Sequence, residues 1–534
     1  MSNVLEQILK KERICPRILE NHAEKQGNKV LLKYEDKCWT YQEVDTLANR
    51  IGNQFSKFGI NKGDHVLIML PNVPEFIFAF LGLTKIGGVE VPVNTAYKGN
   101  LLKHVINDSK ATTMIVHENY LENLRNILPD LNFLNQFFVY GNSNLENIKQ
   151  GFTNWKIRSF KELLGPNTSR PDVELKGNDV MAIMYTSGTT GKSKGVVLTY
   201  YHAYSYIGLE SKTWFKVDDC FYLPLPLFHV GGQWAGFYTA MAKGAQVALF
   251  PKFSRSRFWE HINEYGCTVT LLLGAMANFL WEQPERDNDG QNPLRVVTMV
   301  PLIENFEMFA KRFQLQIATS YGSTESSMPI HTFPIPNTVT SASYCGKVRC
   351  DYEIQVVDEN DNPLPPGKIG EVCVRPKIPW TIMSGYYNLP AETLKSWRNL
   401  WFHTGDAMYY DEEGNYYFVD RVNDSIRRRG ENISSAEVEA EVLSHPYIFE
   451  AAAVAVPSEY SEDEIKIVVV FKPDCYLDHK DLHLYLKGRM PYFMVPRYIE
   501  YKTSILKTPT EKIRKNILRQ EGITSNTWDS QVFE

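Results

Sequence analysis

The stretch Tyr185-Thr186-Ser187-Gly188-Thr189-Thr190-Gly191-Lys192-Ser193-Lys194-Gly195 follows an apolar run, Val180 to Tyr185, that reads as a buried strand. The loop therefore begins where a strand ends. Its backbone N–H groups, small hydroxyls and lysines are the chemistry that holds a polyphosphate, with a helix N-terminus expected to face the anion. It is not a Walker loop, because only Thr189 and Thr190 separate Gly188 from Gly191-Lys192-Ser193, fewer residues than G-x-x-x-x-G-K-[ST] requires.

On both sides of this loop strand-like and helix-like runs alternate. Thr40 with Glu43 makes a capping box, and Val44, Leu47, Ala48, Ile51, Phe55 and Phe58 recur at helical spacing before Gly59. His65 to Leu70, Val89 to Val93 and Thr112 to Val116 read as strands, with a helix from Glu75 to Leu83. A polar, irregular segment from Asn142 to Lys176 follows. Beyond the loop, Phe221 to Leu225, Gln246 to Phe250, Thr268 to Leu273, Val296 to Val300 and Gln316 to Ser320 are strand-like, with a helical pattern at Phe258 to Tyr265. This alternation implies βαβ units in two similar α/β halves that face one another. Past Tyr344 short alternating runs, Glu353 to Val357 and Glu371 to Val374, are broken by Asp361-Asn362-Pro363 and Pro365-Pro366-Gly367, the pattern of a small antiparallel sheet or barrel. After Asp420 the chain turns basic at Arg427-Arg428-Arg429-Gly430, and Ser434 with Glu437 announces a helix of a compact α+β unit. The expected fold class is α/β: an N-terminal domain over 1–422, made of two α/β subdomains and a small β-barrel at about 341–420, then a mobile small α+β domain over 423–534.

A chain of 534 residues is long enough for about three to four domain-sized units. With 57 Lys and Arg against 62 Asp and Glu, the net charge of −5 provides no bulk attraction to nucleic acid or an anionic membrane. The cysteines (Cys15, Cys38, Cys220, Cys267, Cys345, Cys350, Cys373 and Cys475) show no C-x-x-C spacing, so reduced thiols in a cytoplasmic protein are expected. Glu6, Lys10, Lys11 and Glu12 interrupt any signal-peptide core. The runs Phe76 to Leu83 and Val269 to Trp281 fall short of the ~20 apolar residues that span a bilayer. A soluble protein is expected, and oligomeric state leaves no mark in these patterns.

Polar clusters recur where strand-like runs end. Thr186 to Lys194 follows one run, Phe228-His229 with Gly231-Gly232 a second, and Tyr321-Gly322-Ser323-Thr324-Glu325 a third. Ligands gather beyond the carboxyl ends of strands in open α/β sheets, so one shared cleft accounts for all three. Glu325 is a hard oxygen ligand suited to Mg²⁺, and Thr324 can hydrogen-bond a phosphate; taken alone, a Thr-Glu pair also reads as a helix N-cap. Tyr321 can stack on a nucleobase or sit in the core, and His229 can shape a substrate pocket or be a satisfied structural histidine. In Trp401-Phe402-His403-Thr404-Gly405-Asp406, Asp406 suits the hydroxyls of a ribose or simply a turn. Asp420-Arg421, with Asp424 close behind, lies at the change of domain character, where a hinge belongs. Lys512 can neutralise charge developing on a carboxylate and an α-phosphate, or belong to a solvated basic tail.

In this order, YTSGTTGKSKG, YGSTE, the WFHTGD block, DRVNDSIRRRGENIS and PTEKIRK resemble the adenylate-forming (AMP-binding) superfamily over nearly the whole chain. IRRRGENISSAEVE and PTEKIRKNILR are most similar to the crotonobetaine/carnitine-CoA ligase group of its acyl-CoA synthetase branch. The resemblance implies a two-step ligase that uses ATP, Mg²⁺ and coenzyme A. A carboxylate attacks the α-phosphate of ATP and releases pyrophosphate, and the CoA thiolate then displaces AMP from the acyl-adenylate. It assigns Thr186, Ser187, Gly188, Thr189, Thr190, Gly191, Lys192 and Lys194 to the β- and γ-phosphates. Tyr321, Gly322 and Ser323 line the adenine side, Thr324 touches the α-phosphate and Glu325 holds Mg²⁺. Asp406 and Arg421 bind ribose, Lys512 bridges substrate and α-phosphate, Asp424 is the hinge between steps, and Gly430 and Glu431 lie by the pantetheine channel. The acyl pocket falls to His229, Gln233, Trp234, Gly274 and Met276.

Two departures stand out. Glu511 replaces the glycine usual before the catalytic lysine, and Val300-Pro301-Leu302 replaces the Gly-Ala-Pro-like turn beside adenine. A small carboxylic acid is the expected substrate. Trp234 and Tyr204 offer aromatic faces for a carnitine-like betaine, while Leu227, Phe228 and Met276 suit a plain acyl chain. A stand-alone adenylation protein that loads a carrier protein is the alternative enzyme, and a non-catalytic nucleotide-binding module the alternative from another class.

Overall fold

The computed structural model describes residues 13–152, 155–186, 192–208, 214–421, 425–459, 462–507 and 513–532. Thr40 caps the helix Tyr41–Lys57 as its sequence predicts: its hydroxyl accepts the Glu43 N–H at 3.2 Å, and its own N–H donates to the Glu43 carboxylate at 2.8 Å. Val44, Ala48, Ile51 and Phe55 form the buried face of this helix, which packs on the helix Pro74–Ile86. The latter is apolar on every side from Phe76 to Leu83 and buried from Phe76 onward, as a helix enclosed by other elements must be.

The chain divides into two compact units, one of 1–95, 106–185 and 195–419, the other of 96–105, 186–194 and 420–534. The larger unit holds both expected α/β halves. One sheet orders its strands Gly385–Tyr386, Lys194–Thr199, Val180–Thr186, Val89–Pro92, His65–Met69, Thr113–His117, Gln136–Tyr140 and Lys156–Ser159, parallel from Val180–Thr186 to the last. In the other, Val30–Tyr34, Gln246–Leu249, Cys220–Leu223, Val269–Leu273, Val296–Val300 and Gln316–Ser323 run parallel in that order. Antiparallel strands from Ser327–Thr332 to Tyr416–Arg421 extend this second sheet and include the runs read after Tyr344.

Two local expectations change. The phosphate loop does not open onto a helix: Lys194–Thr199 is a strand with Val196 and Leu198 fully buried, and the helix Tyr200–Ser205 starts only after it. A β-branched, apolar run such as Gly195-Val196-Val197-Leu198 favours the pleated conformation. The polar segment after Asn142 contains the helix Leu145–Gln150 and the edge strand Lys156–Ser159. Only Ile157 of that strand is buried, which leaves almost no period to read.

The smaller unit contains the strands Ile448–Pro457, Asp463–Phe471, Tyr498–Tyr501 and Trp528–Asp529 in one sheet, the helices Ser435–Leu443 and His479–Arg489, and a hairpin of Ser425–Arg428 with Glu431–Ser434. Ser434 caps its helix by accepting the Glu437 N–H. Arg428 is buried, paired with Glu464 at 2.6 Å and donating to the carbonyls of Phe493 and Val495. All eight cysteines are free thiols. Among the described residues no helix is long and apolar enough to cross a membrane.

The larger unit also buries a lysine. Lys85 Nζ lies 2.8 Å from Glu20 Oε1 and 2.5 Å from Asp45 Oδ1, with its side chain 1% exposed. Lys85→Met strands the Asp45 carboxylate, while Glu20 keeps Arg17 and Arg170, and urea denaturation is expected to report a loss of about 3 kcal/mol. Adding Asp45→Asn should return part of it. A midpoint unchanged by Lys85→Met would show that the ammonium carries no such weight.

Candidate active site

The strand Gln316–Ser323 turns back as Ser327–Thr332, so Thr324 and Glu325 stand in the turn of a hairpin and not at a helix N-cap. Gly322 allows this, since a Cβ there would lie 1.9 Å from the Ser327 carbonyl. Ser323 and Ser326 lock the turn, each hydroxyl accepting the other's N–H at 3.1–3.2 Å. The Tyr206 hydroxyl donates to the Ser323 carbonyl at 3.0 Å. Glu325 is fixed at both ends, its carbonyl accepting the Met383 N–H at 2.9 Å and its carboxylate the Tyr386 hydroxyl at 3.2 Å. Burial, with Glu325 adding, pushes the Tyr386 phenol far up, so it stays a donor. A half-buried carboxylate of this kind fits Mg²⁺, which takes hard oxygen ligands.

Tyr321 and Asp406 are both buried and joined directly: the phenol donates to Asp406 Oδ2 at 2.6 Å. The turn before Asp406 is braced in turn. Gly405 N–H donates to Glu371 Oε1 at 3.0 Å, Asp406 N–H to Thr404 Oγ1 at 3.1 Å, and Thr404 Oγ1 to the Val372 carbonyl at 2.8 Å. Glu371, Cys373 and His403 each bring one metal-ligating atom within 4.8 Å of the others. Arg398 Nη2 stands 2.8 Å from His403 Nδ1 and 3.2 Å from Asp361, so a guanidinium already supplies the positive charge there. The cluster serves as a brace under Gly405 and Asp406.

The third cluster begins past the strand Cys220–Leu223. His229 N–H donates to the Pro226 carbonyl at 3.2 Å, and a π-helix, Gly231–Tyr238, follows. Gly232 packs so tightly that a Cβ would lie 2.2 Å from the Pro226 carbonyl. π-helical turns concentrate at functional sites, because the i→i+5 ladder re-aims side chains. His229 is half-buried with its ring 4.7 Å from that of Phe228. Gln233 is fully buried and donates to Glu90. The Trp234 ring is turned into the core against Tyr206 and His202, and Tyr204 faces the Arg13 guanidinium. Neither aromatic face expected to meet a substrate is therefore open. Gly274 starts the helix Gly274–Trp281 where the strand Val269–Leu273 ends, 3.2 Å from the Pro301 carbonyl by its absent Cβ, and Met276 is half-buried one turn on.

A narrow cavity lies beside the π-helix, walled by Trp214, Phe215, Phe221, Ala235, Leu271 and Met328, with Ser320 next to Tyr321 among its polar edges. Thr298 and His331 complete that polar edge, and among the described residues no Asp, Glu, Lys or Arg lines it. These aromatic residues escape sequence reasoning because Trp214 and Phe215 precede their strand in a segment without period. Only the fold stacks Phe215 on Phe221, with ring planes 5° apart.

The smaller unit carries the remaining assigned residues. Thr186 ends its strand, Lys192 is exposed and Lys194 half-buried. Ser193 between them is buried, its N–H and hydroxyl donating to Glu437 Oε1 at 2.7 and 2.6 Å. Burial pushes the Glu437 carboxyl up to about 7 against those two bonds. Gly430 sits in the hairpin turn at φ 79°, donating its N–H to Glu462 at 3.1 Å, and half-buried Glu431 begins the next strand. Hydroxyls and ammonium groups are the donor set a polyphosphate takes. Ser187, Gly188, Thr189, Thr190, Gly191, Asp424 and Lys512, with Glu511, lie outside the described residues, as does the side chain of Arg421.

Comparison with known proteins places the chain in a family. Residues 19–387 match the AMP-binding enzyme family and residues 437–512 the AMP-binding enzyme C-terminal domain. The crotonobetaine/carnitine–CoA ligase of Proteus mirabilis is 32% identical over 90% of this chain and 93% of its own length. That of Salmonella typhimurium is 31% identical over 92% and 96%. Among solved structures, o-succinylbenzoate CoA synthetase of Bacillus subtilis, bound with a product analogue, aligns at a TM-score of 0.79 with 24% identity, covering 94% of this chain and 98% of that one. The amide bond synthetase McbA of Marinactinospora thermotolerans aligns at 0.82 with 22% identity, covering 95% and 99%. With the family model spanning most of the chain and curated relatives above 30% identity over nine-tenths of it, this protein belongs to the AMP-binding enzyme family, on its acyl-CoA synthetase branch.

Proposed function

We propose that this chain, by family an AMP-forming ligase using ATP, Mg²⁺ and CoA, activates a small carboxylic acid and passes its acyl group to the CoA thiol. The observation that carries the small-acid reading is the cavity walled by Trp214, Phe215 and Phe221, with no Asp, Glu, Lys or Arg among its described lining residues. The cavity's free volume of about 10 Å³ is that of one water, so a substrate has to open it; once opened, its aromatic faces suit a compact apolar acyl chain or a quaternary ammonium group, which they bind through their quadrupole. A carnitine-like betaine is therefore a member of the substrate class, and the curated crotonobetaine/carnitine relatives support including it.

In the first step a carboxylate oxygen of the acid attacks the α-phosphorus of ATP, and the bond to the pyrophosphate oxygen breaks. In the second the CoA thiolate attacks the acyl carbonyl, and AMP leaves with the electron pair. Thr186 to Lys194 hold the departing pyrophosphate, Tyr321 with Gly322 and Ser323 borders adenine, and Thr324 contacts the α-phosphate. Glu325 holds Mg²⁺, while Asp406, kept in place by the Tyr321 hydroxyl, binds ribose with Arg421. Lys512 spreads charge between substrate carboxylate and α-phosphate. A boundary at 422/423 with Asp424 as hinge lets the residues beyond it exchange the Lys512 loop for Gly430 and Glu431, so that one cleft excludes water and then admits a thiol. The supply of ATP and CoA and the free thiols suit a cytoplasmic setting.

A CoA-thioester assay over diverse acids should show fastest turnover with short acids, crotonobetaine among those tested. Fastest turnover with long-chain fatty acids would overturn the small-acid reading. Lys512→Ala should abolish most acid-dependent pyrophosphate release while leaving CoA transfer from supplied acyl-adenylate largely intact; equal loss in both would remove its assigned role. Tyr321→Phe deletes a charge-assisted hydrogen bond to a buried carboxylate, so KM for ATP should rise about tenfold with KM for CoA little changed.

A further inference from the structure

Glu90 sits in the middle of the strand Val89–Pro92, paired with Val66 and Ala182 on the neighbouring strands, and is 1% exposed. No cation meets its carboxyl group among the described residues. Its hydrogen-bond partner is Gln233, whose Nε2 lies 2.9 Å from Glu90 Oε1 and 2.7 Å from Oε2. Gln233 Oε1 is equally buried and accepts no hydrogen bond from any described residue. An ionised carboxylate facing this amide offers only acceptors, so the amide oxygen stays unsatisfied and the charge uncompensated. Both costs are large in an apolar interior. A neutral carboxylic acid can remove both: a small turn of the amide, which now directs Nε2 at both oxygens, lets the acid O–H donate to Gln233 Oε1 while its carbonyl accepts from Nε2.

We propose that Glu90 is a positioning residue held as the neutral acid in a reciprocal acid–amide pair with Gln233, and that this pair fixes the π-helix wall of the acyl cavity. The inference rests on the reading of that cavity as the acyl pocket. Gln233 stands two residues before Ala235, which lines the cavity, and its own N–H donates to the His229 carbonyl at 2.9 Å. Glu90 thus ties the first sheet to the segment that meets the acid.

Burial pushes the Glu90 carboxyl up to about 8, against the Gln233 hydrogen bond that lowers it. The titratable group facing it from a neighbouring helix is the Cys15 thiol, itself pushed far up by burial, with Lys85 and Glu20 acting on that thiol. Because the folded value lies above the ordinary 4.5, the stabilisation due to the bound proton is fully present below 4.5 and is lost as pH rises to about 8. The protonation state of the folded protein, and with it the wall, changes only near the upper end of that window.

The test uses the full-length enzyme with crotonobetaine and with butyrate. Wild-type KM for the acid is expected to rise as pH passes about 8. Glu90→Gln keeps a reciprocal pair, so it should hold KM near the wild-type value at neutral pH and remove the alkaline rise. Glu90→Val strands the amide and should raise KM for the acid about tenfold or more, with KM for ATP unmoved. Because Glu437, pushed up to about 7, contributes a band of its own, the readout is the infrared difference between wild type and Glu90→Gln, which should contain a protonated-carboxyl carbonyl band of the wild type at pH 7 that is lost at alkaline pH. Absence of that band in the wild type, or Glu90→Gln impaired as Glu90→Val is, would overturn the proposal. A shift in KM for ATP with none for the acid would instead overturn the assignment of the cavity to the acyl group.

Discussion

A backbone carbonyl that leaves the end of a strand inside a protein needs a donor, and the junction between the two sheets of the larger unit is full of such ends. Asn72, just past the strand His65–Met69 of one sheet, meets this need for the other. Its Nδ2 donates to the carbonyls of Leu225 and Phe250 at 2.9 and 3.1 Å, and its Oδ1 accepts the Leu227 N–H at 2.9 Å. One buried amide thereby satisfies groups at the carboxyl ends of Cys220–Leu223 and Gln246–Leu249, where ligands bind in open α/β sheets. The Tyr41 hydroxyl does the same for Met241 and Ala245. Sliding one sheet past the other would unpair all of these at once, so the seam has one register. The segment from Leu225 to Tyr238 inherits that fixity, held by Asn72 at its start and by Glu90 within the π-helix.

This seam explains what the sequence could and could not reveal. Elements came through where their own residues decide them: the Thr40–Glu43 box closes the helix Tyr41–Lys57, and Val296 to Val300 and Phe258 to Tyr265 form as patterned. Local chemistry was insufficient where a partner far along the chain decides the outcome. Val196 and Leu198 make a strand after the phosphate loop because sheet neighbours bury them, although a glycine-rich loop ahead of a helix is the commoner arrangement. Thr324-Glu325 reads as a cap in isolation, and only the antiparallel return of Ser327–Thr332 makes it a hairpin turn.

The site divides along the same line. Tyr321 and Asp406 were legible as separate motifs, and their hydrogen bond joins residues 85 positions apart. Trp234 was legible as an aromatic near the acyl segment, but a π-helix rotates successive side chains differently from an α-helix, which turned its ring into the core and brought Ala235 to the cavity. Trp214, Phe215 and Glu90 left no motif at all. Their roles arise from packing, and packing is recorded in pairs of residues and not in spacings.

The electrostatic character of the acyl wall follows from this packing. The reacting carboxylate must keep its negative charge to attack phosphorus, so any fixed anion beside the acyl group would oppose binding of the substrate it is meant to receive. An ionised Glu90 close to the π-helix would act in that way. Desolvation prevents this by keeping the proton on Glu90, since among the described residues no cation meets the anion. The pair with Gln233 then contributes geometry without charge. On the proposed reading of the cavity, selection among acids is left to the aromatic faces of Trp214, Phe215 and Phe221, which act on a methyl group and on a trimethylammonium group alike.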